Sequence, residues 1–158
     1  ELSSEVNKGT EFSIYLPSAG DCCKKLKDKT SISSFTLEKS KVLLIDDEDI
    51  VRSIIIEMLE LHKAKVISAS CGRDAIEVYK KNHKAIDLVL LDMVLSDLNG
   101  LEIFRELKKI NENVKVIILS GYSMNEEINL AIKEGAVGFV QKPVSLKVLV
   151  AALKEAMS

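Results

Sequence analysis

The chain has 158 residues, of which 47% are hydrophobic, 29% charged and 4% aromatic, enough for one domain of ~100–150 residues and a surplus. A fold of this size buries roughly 68–70% of its unfolded surface, so it needs neither disulfides nor a structural metal, and with few aromatics its core falls to Val, Ile and Leu, which fill parallel strands covered on both faces. The 22 basic and 24 acidic residues are well mixed and sum to −2, leaving no cationic footprint for nucleic acid or an anionic membrane surface. The longest apolar run, Val148 to Leu153, is far below a ~18-residue membrane span, and no charged-then-apolar leader opens the chain. Cys22, Cys23 and Cys71, with no CxxC spacing, read as reduced thiols and so as a cytoplasmic protein. Glu1 in place of Met suggests a piece of something longer.

In chain order, Glu11 to Leu16 alternates polar and apolar as one strand, which Pro17 ends. Residues 18–40 have a linker composition, rich in Ser, Lys, Asp and Thr. One strand makes no core, so its partner is expected from outside the segment: upstream sequence, a second copy of the chain in a homodimer, or an exposed edge of the main sheet. From Lys41 onward, short apolar runs alternate with helical periods. The runs are Val42 to Ile45, Val66-Ile67, Ile86 to Leu91, Val116 to Leu119 and Val137 to Val140. The helices are expected near 48–62, 72–82, 101–110, 125–134 and 145–156. Five such pairs predict an open parallel α/β sheet with helices on both sides.

In such a sheet, ligands sit beyond the carboxyl ends of the strands. The polar residues there are Asp46 and Asp47 after the first strand, Asp92 after the third, Ser120 after the fourth and Lys142 after the fifth. One Asp at a strand end is usually a cap or turn former, but coincidence at four strand ends points to a site. Three clustered carboxylates call for a hard divalent cation, Mg2+ above all. With Lys142 to neutralise oxygens and Ser120 to donate a hydrogen bond, the set suits a phosphoryl group, and one carboxylate serves as nucleophile.

Residues 41–158 resemble the receiver domain of two-component response regulators. The similarity lies in the acidic pair of LLIDDED, in LLDMVLSDLNG, in the hydroxyl of ILSGYS and in the lysine of GFVQKPVS. The resemblance implies a flavodoxin-like (βα)5 fold, doubly wound, with strand order 2-1-3-4-5. It implies Asp92 as phosphoacceptor, with Mg2+ held by Asp47, Asp92 and the backbone carbonyl of Val94, and by Asp46 largely through water. Ser120 and Phe139 would be the switch pair, and Lys142 the partner of the phosphoryl group. Lys142-Pro143 suits a cis turn. Where the family usually has proline, four residues after the phosphoacceptor, this chain has Ser96, a change expected to loosen the loop up to Gly100. Val94 and Tyr122 beside the pocket predict slow self-dephosphorylation, and Met93 and Met124 read as packing. His62 and His83, at a helix end and in a turn, read as solvated or dipole-stabilising rather than as phosphodonors.

Ser4-Glu5, Lys8-Gly9-Thr10, Phe12, Ile14, Leu16 and Pro17 are similar to the closing segment of the ATP-binding domain of histidine kinases, with Asn7 in place of the first glycine. That resemblance implies a division into 1–17, the tail of a kinase domain, 18–40, a linker, and 41–158, a receiver at the end of a hybrid histidine kinase whose parent is open to membrane anchoring. Its partners would be a histidine kinase phosphodonor, its own or a neighbour's, or a histidine phosphotransfer protein. Output would run through the fourth helix, fifth strand and fifth helix. The kinase ATP-binding and donor-histidine motifs are absent, so the chain would catalyse only its own phosphorylation and dephosphorylation. Two other readings stand beside it, a Mg2+-dependent phosphohydrolase with an aspartyl-phosphate intermediate and a non-phosphorylated pseudo-receiver used for binding.

Overall fold

The computed structural model describes residues 1–5, 8–15, 36–121 and 125–158. The chain divides between Ser33 and Ser34 into two compact units.

The first is a hairpin of β1 (Leu2–Glu5) and β2 (Gly9–Phe12), paired antiparallel with Leu2 opposite Phe12 and Ser4 opposite Thr10. This corrects the expected strand: it begins earlier than Glu11, and its partner comes from inside the segment. The polar run Leu2–Glu5 carries little strand signal, and the pairing rests on the turn, where Gly9 has φ 105° and Lys8 N–H bonds Glu5 O at 3.0 Å. Leu2, Phe12 and Ile14 stay 65%, 73% and 80% exposed, so the hairpin has no core of its own. Leu16, Pro17, Cys22 and Cys23 lie outside the described residues.

In the second unit, β3 (Lys41–Ile45), α1 (Asp49–Leu61), β4 (Lys65–Ala69), α2 (Gly72–Asn82), β5 (Leu88–Asp92), α3 (Gly100–Ile110), β6 (Val116–Ser120), α4 (Glu126–Lys133), β7 (Gly138–Gln141) and α5 (Leu146–Met157) follow in order. Strands lie β4-β3-β5-β6-β7, all parallel, the 2-1-3-4-5 arrangement. Successive side chains of a strand point to opposite faces, so the central strands feed two cores. Leu43, Ile45, Val89, Leu91, Val116 and Ile118 face α2, α3 and α4, where they meet Tyr79, Phe104, Leu107 and Ile128. Val42, Leu44, Leu88, Leu90, Ile117 and Leu119 meet Ile55, Leu59, Leu149 and Leu153 of α1 and α5. Leu37, in the stretch read as linker, is 1% exposed within this second core, and its N–H bonds His62 O at 2.7 Å. His62, read as solvated or dipole-stabilising at a helix end, is the C-cap of α1 and is 7% exposed, so it sits at the helix end as expected but is buried there.

Helices α1 and α4 end in the same way. Ala64 N–H bonds Leu59 O at 3.1 Å and Lys63 N–H bonds Glu60 O at 2.8 Å; Ala136 bonds Ala131 O and Gly135 bonds Ile132 O at 2.9 and 3.0 Å. This pair of hydrogen bonds closes a helix when the residue past its cap is left-handed. In α4 that residue is Gly135 at φ 107°, in α1 it is Lys63 at φ 64°, where the Cβ is crowded. Its ion pair with Glu38 is exposed and contributes little. Lys63→Gly is therefore expected to stabilise the unit by about 0.5–1 kcal/mol, read as a higher urea midpoint at unchanged slope.

Candidate functional site

Because all five strands run the same way, their carboxyl ends open on one side of the sheet. There lies a cleft of about 450 Å³ whose walls include Asp47, Glu48, Asp92, Val94, Ser96 and Lys142. Asp92 is the last residue of β5 and Ser120 the last of β6; Asp46 and Asp47 follow β3, and Lys142 follows β7. Lys142 N–H bonds Ser120 O at 2.8 Å, which continues the β6–β7 ladder into the site. The Lys142-Pro143 bond is cis. Ser120 is 1% exposed. Phe139, opposite Ile118 in the ladder, is half-buried against the core. Gly121 opens onto the same cleft, and among the described residues no atom lies near the place a Cβ would take.

Lys142 Nζ lies 2.6 Å from Asp92 Oδ2, 2.8 Å from Asp46 Oδ2 and 3.4 Å from Glu48 Oε1. Asp46 is 0% and Asp92 3% exposed, so two charges are held out of water against one ammonium. Burial pushes the Asp46 carboxyl above the ordinary range, against the pull of Lys142 and of the Glu48 N–H, and the charge of Asp92 adds to the rise. Burial also works against the charged form of Lys142, but the Asp46 and Asp92 carboxylates outweigh it and hold the lysine far above its ordinary value. Lys142 is a fixed cation at any physiological pH.

The pocket also fits a divalent cation. Asp46, Asp47 and Asp92 each offer an oxygen, and these atoms lie within 4.8 Å of one another. Asp46 Oδ2 is buried, and the contact it makes is the ion pair with Lys142 Nζ at 2.8 Å. That ammonium is shared with Asp92, so the carboxylate charge is only partly matched, and an all-oxygen set suits a hard ion such as Mg2+.

Four contacts around these acids have weaker signals in the sequence. Arg52 Nη1 donates to the carbonyl of Asp46 at 2.7 Å, Glu48 N–H to Asp46 Oδ1 at 3.0 Å, Val94 N–H to Asp92 Oδ1 at 3.1 Å and Ser96 N–H to Asp47 Oδ2 at 3.0 Å. The last contact has a signal in the motif itself: serine brings an N–H to a position where proline has none. The loop from Asp92 to Gly100 is held by several contacts. Gly100 N–H returns to Met93 O at 3.1 Å, Val94 bridges Asn99, and Asn99 caps α3. Asp97 accepts from Gly72 and Arg73 N–H at 2.8 and 3.0 Å; burial raises its pKa, but these bonds outweigh it and hold the carboxyl below its ordinary range. Met93 is buried in the core. Val94 is 57% exposed at the mouth of the cleft. Tyr122 and Met124 lie outside the described residues.

A family model described as "Response regulator receiver domain" matches residues 42–154. The chain belongs to the response regulator receiver family. The sensor kinase CckA of Brucella abortus is 34% identical over 96% of this chain and 17% of its own length. The response regulator UvrY of Escherichia coli is 35% identical over 74% of this chain and 54% of its own, so the receiver chain spans less than two thirds of either relative. A receiver domain structure from Clostridium thermocellum shares 36% identity with a TM-score of 0.71, over 75% of this chain and 94% of that one.

The excess of buried negative charge in this receiver makes two opposite expectations. Asp92→Asn removes a like charge and keeps the shape, so the metal-free melting midpoint should rise, by roughly 2–4 °C per kcal/mol relieved. Lys142→Met strands both buried carboxylates and should cost about 3 kcal/mol. Thermal unfolding in chelator checks both.

Proposed function

We propose that Asp92 accepts a phosphoryl group from a phosphohistidine, and that the resulting aspartyl phosphate switches a protein-binding face. The observation that carries this reading is Lys142 held between Asp46 and Asp92, with Asp47 in the same cluster: a nucleophile, a fixed cation and a cation site at one strand end. In the transfer, a carboxylate oxygen of Asp92 attacks phosphorus, the P–N bond breaks, and its electron pair returns to the imidazole ring. A magnesium ion bound by Asp46, Asp47, Asp92 and the Val94 carbonyl would neutralise phosphoryl oxygens as charge shifts among them. Lys142, already at the Asp92 carboxylate, pairs with the new phosphoryl oxygens. Ser120 donates its hydroxyl to another, and Phe139 follows it from its half-buried position. Val94, apolar at the mouth, hinders the water that would hydrolyse the product and so favours a long-lived phosphoryl group.

The donor must bring its imidazole to this cleft, so its surface meets the rim. Beside the acidic turn, Ile50, Ile54 and Leu61 of α1 are 76%, 46% and 73% exposed at spacings that share one helix face. An apolar stripe that starts beside the acidic turn and runs away from it along α1 suits a helix of a histidine kinase or of a phosphotransfer protein.

We further infer that the parent is a hybrid histidine kinase and that the N-terminal hairpin closes its ATP-binding domain. The similarity to the Brucella sensor kinase runs over 96% of the chain and so includes residues upstream of the receiver. The exposed Leu2, Phe12 and Ile14 suit a strand pair built to cover another element. Phosphotransfer of this kind places the receiver in the cytoplasm. No described helix is long and apolar enough to cross a membrane.

Incubation with phosphoramidate and Mg2+ followed by intact-mass measurement tests the reaction. One added phosphoryl group, absent from Asp92→Asn, is the expected outcome; steady release of phosphate would mark a phosphohydrolase, and no adduct a pseudo-receiver. For the docking face, Ile54→Asp is expected to slow transfer from a phosphorylated kinase or phosphotransfer protein at least tenfold, with the phosphoramidate rate unchanged. Equal slowing of both would move the donor's contact elsewhere.

A further inference from the structure

We propose that the main-chain N–H of Ser96 positions Asp47 for cation binding, holding one carboxylate oxygen so that the other faces the site. The inference rests on the receiver reading above and concerns how this chain sets its own cation affinity.

Ser96 N–H donates to Asp47 Oδ2 at 3.0 Å, joining the turn after β3 to the loop after β5 across 49 positions of sequence. The other two acids have their own anchors. Asp46 is buried and takes the Glu48 N–H, and Asp92 is buried between the Val94 N–H and Lys142. Asp47 is only half-buried, and without a fixed partner its side chain would be free to change rotamer. Ordering it at the moment of binding costs free energy that a pre-formed hydrogen bond removes.

The donor is itself held still. Ser96 sits between the Val94–Asn99 bridge and the Asp97 bonds to the start of α2, so its N–H has a defined direction. A carboxylate with one oxygen committed to an N–H presents the other singly, which suits a small ion of near-octahedral demand better than a bidentate grip. Hydrogen bonds to ligand groups of this kind change metal affinity by about 10- to 100-fold in well-ordered sites. A half-exposed pair belongs at the low end of that range.

Two substitutions at one position separate the N–H from the side chain. Ser96→Pro deletes the donor, whereas Ser96→Ala keeps it and deletes only the hydroxyl. Mg2+ is titrated into the full chain, labelled with 15N, and Kd is read from amide shifts, with the melting midpoint measured in chelator alongside. Binding about tenfold weaker in Ser96→Pro, with Ser96→Ala at the parent value and both folded, is the expected result. Equal Kd values in the proline variant and the parent would overturn the proposal.

A second arm needs neither metal nor proline. In metal-free protein, the Ser96 amide should exchange with solvent several-fold faster after Asp47→Ala, because its acceptor is gone; an unchanged rate would also overturn the proposal. Failure of the parent chain to bind Mg2+ at all would count against the receiver reading instead, and the exchange arm would still decide whether the tether exists.

Discussion

One ammonium group holds the site together. Lys142 reaches Asp46 and Asp92 at once, and without it two carboxylates removed from water would face each other at the end of the sheet. Attraction in a poorly solvated pocket is strong, but so is the cost of bringing charges there, and here negative charge exceeds positive. That imbalance makes the pocket receptive to a divalent cation and to a group that lets Lys142 exchange one anionic partner for another. The main chain of the lysine is hydrogen-bonded to Ser120, so these two pocket residues are fixed to each other through the β6–β7 ladder.

Such a cluster survives because its supports are rigid. The central strands are buried on both faces, with alternate residues locked into two separate cores. Their ends therefore have little freedom to relieve the repulsion by moving apart. The loop after Asp92 is closed over Gly100, where a Cβ would lie 2.5 Å from the Met93 Cα, too near for any side chain. Helix α4 packs on the same core as α2 and α3. It buries Ile128 and Ala131 and is joined to α3 by Asn99–Glu127 and Arg105–Glu134 contacts at the surface, of a kind that adds little stability.

Most of the receiver was legible because hydrophobic periodicity is a local property. The runs at 42–45, 86–91 and 116–119 are too apolar for a half-exposed strand, and Ile50 to Leu61 repeats with the period of a helix, so order and type followed, with boundaries close to those observed. Asp46, Asp47, Asp92, Ser120 and Lys142 were legible for a related reason: each ends an apolar run, and a parallel sheet gathers such ends. The hairpin was misread because Leu2–Glu5 pairs through a turn and backbone hydrogen bonds, which leave little trace in side-chain pattern. The helix-end place of His62 was legible, but its burial was not, because that depends on Leu37, which lies outside the helix that carries it.

The amino-acid order alone determined which residues enter the sheet, which way the chain runs at each strand end and which charged groups meet there, because these follow from local periodicity and the geometry of parallel connections. Only the tertiary structure decided how those charges are held: Lys142 shared between two acids, Glu48 drawn to the rim, and Asp47 tethered to a main-chain N–H from a loop 49 residues away. Angles and distances between segments far apart in sequence arise from packing, and a backbone N–H gains a partner only once the two loops have been brought together.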